Sequence, residues 1–188
     1  MDSALHRGVI TLDDLATLKA RLRGRRGARR LTDIWPLVDS RRESPLESWA
    51  CFDLHTAGLV PTDIQVTFTD EAGRVLARAD IGFELEDGSW HLVELDGRDY
   101  HLRPAADDLR DNALVLAVAR SHRATVVRYR SEHLGSRGRL VRETREALAG
   151  RTWTRPANAG LVPLDLARND SKPAFDVVRG ITPRTPRV

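Results

Sequence analysis

Asp80, Glu94, Asp96 and His101 fall close together in a stretch otherwise rich in apolar and β-branched residues. Side chains two apart on a strand point the same way, so Glu94 and Asp96 project together while Leu95 faces the opposite side. Asp87-Gly88 favours a tight turn, which brings the strand carrying Glu94 back beside the one carrying Asp80. In register, three acids crowd one small site. Like charges so placed raise one another's pKa or require a counter-cation, and a hard divalent ion with oxygen ligands, Mg²⁺ or Mn²⁺, suits them. An acid inside an apolar strand is costly unless paired or metal-bound. Asp80 and Glu94 are therefore the leading ligand candidates, whereas Asp96, just before Gly97, also reads as a strand-end turn residue. His101 has the chemistry to relay a proton near neutral pH; beside an aromatic it reads equally as a structural donor.

The elements that must position these groups are legible in outline. Ser44-Pro45 starts a helix, with Ser44 as N-cap and Pro45 where its missing N–H costs nothing, and Gly58 stops it. Glu47 lies in its first turn, where a helix dipole favours an acid. Alternating Ile64, Val66 and Phe68 predict a strand over Thr62 to Thr69, followed by a turn at Glu71 to Arg74 and strands at Val75 to Glu84 and Trp90 to Leu95. Pro104 opens a helix to about His122 that carries Asp107, Arg110 and Asp111. Thr125 to Tyr129 predicts a central strand, and a last helix through Leu134, Leu140, Val141 and Leu148 reaches Gly150. Before this core, Thr11 and Asp14 cap a short helix bearing Leu12, Leu15, Leu18 and Leu22, and a second helix is predicted through Leu31, Ile34, Trp35 and Val38. The expected organisation is a helical extension over 1–43, an α/β core with a mixed sheet over 44–149, and an irregular, proline-containing tail over 150–188.

The net charge of +3 is unevenly distributed: +2 over 1–61, −8 over 62–111 and +9 over 112–188. An acidic centre within a basic remainder suits a cation site on a polyanion-binding surface. Arg25, Arg26, Arg29 and Arg30 lie in an arginine run interrupted by Gly24 and Gly27, and Arg128 and Arg130 leave the last strand; each can grip phosphate bidentately. All basic residues but Lys19 and Lys172 are arginine, so a solvated face rich in arginine is the plainer account of the run. Nucleic acid, DNA first, is the expected partner; the N-terminal helices or the tail offer surfaces for a partner protein or a second copy. No apolar run reaches the ~20 residues a bilayer span needs, and Met1 to Arg7 lacks the basic-then-apolar order of a signal peptide. A cytoplasmic protein without membrane partners is expected. The single cysteine, Cys51, excludes an internal disulfide and reads as an ordinary buried thiol.

Asp80, then Glu94-x-Asp96-Gly97, then His101, with Ser44 to Ser48 upstream and Asp107 to Leu114 downstream, resembles the PD-(D/E)XK nuclease superfamily, in its very-short-patch-repair-endonuclease-like branch. The resemblance covers roughly Ser44 to Ala149. It implies a restriction-endonuclease-like αβββαβα core and metal-dependent phosphodiester hydrolysis of DNA. Asp80, Glu94 and Asp96 would be the metal ligands, Glu47 an outer ligand or water-positioning acid, and His101 a general base or acid. The lysine usual in the (D/E)-x-K strand is Asp96 here, so the metal or His101 would have to activate the nucleophile. Many actinobacterial proteins with this core carry an AbiEi-type antitoxin winged helix ahead of it, and none is read in residues 1–43, which argues against a transcriptional role. Asp96 in place of the lysine suits an inactivated descendant equally, so a catalytically inactive nucleic-acid-binding or antitoxin-type regulator is the alternative, and an RNA-cleaving effector a second one.

Overall fold

The computed structural model describes residues 1–70, 72–97, 124–135 and 137–156, and the positions below belong to these. His101, Arg110 and the acids Asp107 and Asp111 lie outside them, as does the helix expected after Pro104. The described chain is a mixed α/β structure with four α-helices: α1 (Asp2–His6), α2 (Leu12–Leu22), α3 (Pro45–Thr56) and α4 (Arg139–Ala147). They accompany one four-stranded mixed sheet of β1 (Asp63–Thr69), β2 (Val75–Glu84), β3 (Trp90–Leu95) and β4 (Ala124–Tyr129).

The sheet runs β1-β2-β3-β4, antiparallel between the first three strands and parallel between β3 and β4. The two hairpins follow from local chemistry. Asp70 closes the first turn by accepting N–H bonds from Ala72 and Arg74 through Oδ1. In the second, Gly88 takes φ +77°, the left-handed conformation that glycine reaches without a Cβ clash, and Asp87 Oδ1 accepts the Ser89 N–H. The expected central place of β4 is corrected: among the described strands it ends the sheet, paired with β3 alone.

One face of the sheet packs against α3 and α4. Ala50, Cys51 and Leu54 of α3 and Leu140 and Val141 of α4 meet Ile64, Ile81, Phe83, Val93 and Tyr129. A second, smaller cluster of Phe68, Ala79, Trp90 and Leu92 occupies the opposite face, as the alternation of Leu92 and Val93 requires. Asp53 joins α3 to the approach to α4, its Oδ2 accepting the Gly135 N–H at 2.6 Å. Burial pushes the Cys51 thiol up to about 11, consistent with an inert thiol.

Two segments depart from expectation. Residues 28–37 form two short 3-10 turns, Ala28–Leu31 and Trp35–Leu37, instead of one α-helix. Gly27 enters the first with φ +88°, and Pro36, which has no N–H, removes a bond an α-helix there would need. The extension is nevertheless tied to the core: buried Arg42 pairs with Asp2 at 2.8 Å and also donates to the Leu37 carbonyl. At the other end, the segment expected to be irregular opens with residues docked on the sheet. Trp153 forms a bridge with Leu85, its indole N–H donates to the Val60 carbonyl at 2.8 Å, and its ring meets Phe83 edge-on at 6.0 Å.

Candidate functional site

Asp80 sits where the sheet changes face. Ile64 and Ile81 are paired and belong to the α3/α4 core, yet Val66 and Ala79, the next pair outward, belong to the cluster on the other side. Between them lie Gln65 and Asp80. Gln65 has φ +53°, the single positive φ at a non-glycine position among the described residues. A left-handed residue costs on the order of 1–3 kcal/mol unless its surroundings hold it. Here it turns the chain so that the alternation restarts on the opposite face.

The Asp80 carboxylate lies between strands, its Oδ2 accepting the Leu95 N–H at 2.8 Å. Burial raises its pKa, the Leu95 hydrogen bond opposes the rise, and the charges of Glu47 and Glu43 add to it, leaving Asp80 at about 6. Arg78, which pairs with Glu43 at 2.8 Å, pulls the other way. Glu47 is buried in the first turn of α3 and closely held. It accepts from the Ser44 hydroxyl at 2.6 Å, the Glu43 N–H at 3.0 Å and the Gln65 amide Nε2 at 2.7 Å. The N-cap and the acid three residues later thus do more than start a helix: they fix a carboxylate within electrostatic reach of Asp80.

Glu94 is half-buried on β3, one residue beyond the Ile81–Val93 pair and opposite Arg128 in the parallel register. Asp96 is half-buried just past the strand, where its N–H donates to the Tyr129 carbonyl at 2.9 Å. Glu47 thus acts on Asp80 across the junction of β2 and the start of α3, whereas Glu94 lies between Val93 and Leu95, which both pack on the α3/α4 core, and projects to the other face of the sheet. Among the described residues, no three or more His, Cys, Asp or Glu side chains form a group able to hold a metal ion. Arg25, Arg26, Arg29, Arg30 and Arg130 are all exposed, and Arg128 is half-buried. Gln65, Glu43 and Arg78 were not singled out by sequence reasoning. The first reads as one more polar residue on an alternating strand, and nothing in its neighbours signals a left-handed backbone.

A cavity of about 760 Å³ lies elsewhere, between the 3-10 turns, α3 and the start of β1. Its walls include Trp35, Phe52, His55 and Arg41. Arg41 is committed there, bonded to Asp39 at 2.9 Å and Asp63 at 2.7 Å. This cavity and the acids around Asp80 are thus separate features.

Taken together these features define a mixed α/β protein with a perturbed, half-buried carboxyl in its sheet. Compared with family models, curated proteins and solved structures, the chain finds no match in any of the three. Among the described residues, no helix is long and apolar enough to cross a membrane.

Proposed function

We propose that this chain is a metal-dependent DNA endonuclease on a restriction-endonuclease-like core. The observation that carries the reading is the placement of Asp80. A half-buried carboxyl with a raised pKa, one residue beyond the Ile81–Val93 pair as Glu94 is on the neighbouring strand, and within the field of Glu47, occurs on a helix, three antiparallel strands and a parallel fourth strand in that order. Perturbed carboxyls cluster at functional sites, and the described elements fall in the order the resemblance implies for them, the helix expected between β3 and β4 lying outside the described residues.

The donor set suits a hard cation. It is all oxygen, partly buried and self-repelling, and Mg²⁺ commonly takes only one or two protein carboxylates, with water and substrate phosphate completing its shell. Asp80 and Glu94 would hold it, with Asp96 or Glu47 as outer acids. When bound, such an ion neutralises charge building on a phosphate and lowers the pKa of bound water. Glu47, immobilised by three donors, orients water or the ion's shell. Arg128, opposite Glu94, steadies a phosphate, and the exposed Arg25, Arg26, Arg29, Arg30 and Arg130 bind the backbone through charge, so binding weakens with salt. Asp96 stands where a lysine is usual and brings no positive charge; His101 is the proton carrier this reading assigns.

One observation favours the alternative, a regulator that binds nucleic acid without cutting it. Asp80 and Glu47 already satisfy themselves within the protein through Leu95, Ser44, Glu43 and Gln65. The deciding experiment incubates the native chain, Asp80→Asn and Glu94→Gln with supercoiled plasmid, mismatched duplex, single-stranded DNA and RNA, each with Mg²⁺, Mn²⁺ or EDTA. Metal-dependent DNA cutting by the native chain alone is expected. Salt-sensitive binding without cutting in any metal would establish the regulator, and cutting confined to RNA an effector.

A further inference from the structure

His91 lies on β3 with 3% of its surface exposed, and neither Nδ1 nor Nε2 has a hydrogen-bond partner. A neutral imidazole carries one donor and one acceptor, and both go unmet here, whereas nearly all buried polar groups are satisfied. Its partner on β2 is Phe83, part of the core under α3 and α4, so His91 shares that face. The Phe83 ring meets His91 at 6.0 Å on one side and Trp153 edge-on at 6.0 Å on the other. Residues 151–156 thus form a strap beside His91. Burial first, and the charge of exposed Arg151 on the strap second, hold the imidazole pKa below its ordinary 6.5. The other charged groups near this face are directed or engaged elsewhere. Glu84 and Glu94 alternate to the opposite face of the sheet. On α3, Glu47 and Asp53 are bonded to Gln65 and the Gly135 N–H, and on α4 Glu143 is bonded to Arg139. The neighbour on β4, Thr125, is exposed and carries no charge.

We propose that His91 is an acid-sensitive latch for the strap: neutral, it lets residues 151–156 close on the sheet, and protonated, it opens them. The proposal is independent of the endonuclease reading. A proton on His91 places a charge where no acceptor waits, and an unpaired buried charge is among the costliest groups a core can hold. The new charge also repels Arg151, which has the same sign. One movement relieves both penalties. The sheet around His91 is tied by its ladders, whereas the strap is tied by the Thr154 N–H to the Glu84 carbonyl, the Glu86 N–H to the Thr152 carbonyl, the Thr62 hydroxyl and the Trp153 indole. Each of these groups can turn to water when the strap lifts. Lifting it hydrates the imidazolium and carries Arg151 away, so the strap is the element that yields. The closed form binds the proton less well than the open one. Closure is therefore complete above pH 6.5 and is lost progressively as pH falls below it. Asp80, whose raised pKa favours the folded sheet at low pH, acts in the opposite sense, so strap and sheet have to be read separately.

Hydrogen exchange read by NMR between about pH 7.5 and 5, corrected for the intrinsic exchange rate, tests the latch. It is followed at the Glu86 and Thr154 amides, which the strap protects, and at amides within β2 and β3. The native chain is compared with His91→Leu and His91→Gln; one replacement is apolar and the other polar, neither titrates, and either serves if the other does not fold. In the native chain, protection at Glu86 and Thr154 is expected to fall roughly tenfold for each pH unit below 6.5 while the sheet amides keep theirs. In the variants it is expected to stay level. Level protection in the native chain would overturn the proposal. An equal loss in the variants would overturn it as well, by assigning the opening to another group, and so would an equal loss throughout β2 and β3, which is unfolding of the whole sheet and not release of the strap.

Discussion

At the scale of single residues, the cost of Asp80 decides what it is for. Its carboxyl titrates near 6 in the folded protein, against about 3.8 for an ordinary aspartate. The folded state therefore holds this proton more tightly than the unfolded chain does. That contribution to stability is complete below pH 3.8 and disappears as pH rises through 6; above that pH the ionised group is a burden of about 3 kcal/mol. Asp80→Asn removes the charge and keeps an oxygen to accept the Leu95 N–H, which an alanine would orphan. The metal-free variant is expected to be about 3 kcal/mol more stable than the native chain at pH 7 and to lose the advantage near pH 4, as read by urea unfolding across that range. A variant less stable at pH 7 would mean that ionised Asp80 is a structural anchor. For the native chain, Mg²⁺ should relieve the same burden, so its melting temperature should rise with added ion at pH 7, and that rise should be absent in Asp80→Asn.

At the scale of elements, side chains from β1 and β3 lie so closely over Gly82 of β2 that a methyl there would displace them. A Cβ built on Gly82 would lie 2.7 Å from Val66 Cγ2 and 2.9 Å from the Trp90 ring. Gly82→Ala is expected to cost roughly 1–3 kcal/mol in urea unfolding through forced repacking, and no measurable loss would show that β1 is free to shift. Such contacts mark the limit of sequence reading. The bounds of β2 and β3 were legible because apolar and β-branched residues run up to Asp87-Gly88 and stop. The start of α3 was legible because Ser44-Pro45 is a local signal. Leu31, Ile34, Trp35 and Val38 imitate helical spacing, and only Pro36 and the left-handed Gly27 hint that the segment breaks into 3-10 turns. Of the site, the acids could be read from their cost in an apolar strand. The turn at Gln65, the amide bond to Glu47 and the Asp53–Gly135 contact depend on residues 18 to 82 positions apart, a distance over which no local pattern carries information.

At the scale of the whole molecule, residues 151–156 follow α4 and dock back on the sheet. The chain leaves α4 and crosses the end of the β1–β2 hairpin, where the Thr154 N–H donates to the Glu84 carbonyl at 2.8 Å and the Glu86 N–H to the Thr152 carbonyl at 3.2 Å. Thr62 takes part from the opposite strand: its hydroxyl donates to the Thr154 carbonyl and accepts the Glu84 N–H. Trp153 fills the space over Phe83, and Arg155 lies over its outer ring face at 5.0 Å. A partly exposed indole packed in this way contributes less than a fully buried one, so Trp153→Ala is expected to cost about 2–3 kcal/mol. Removing the strap entirely costs more. It uncovers Leu85 and Phe83 and leaves the Val60 carbonyl and the Glu86 N–H to water. A chain ending at Gly150 should therefore melt well below one ending at Pro156, with a less cooperative transition. Equal melting of the two would show that these six residues rest on the sheet without supporting it. The loss should also be felt at the acids, because Glu84 and Asp80 lie on the same strand four residues apart and the strap fixes one end of it. In the shorter chain Mn²⁺ affinity should therefore fall along with stability, and an unchanged affinity would show that the strap does not hold the Asp80 stretch of β2 in place.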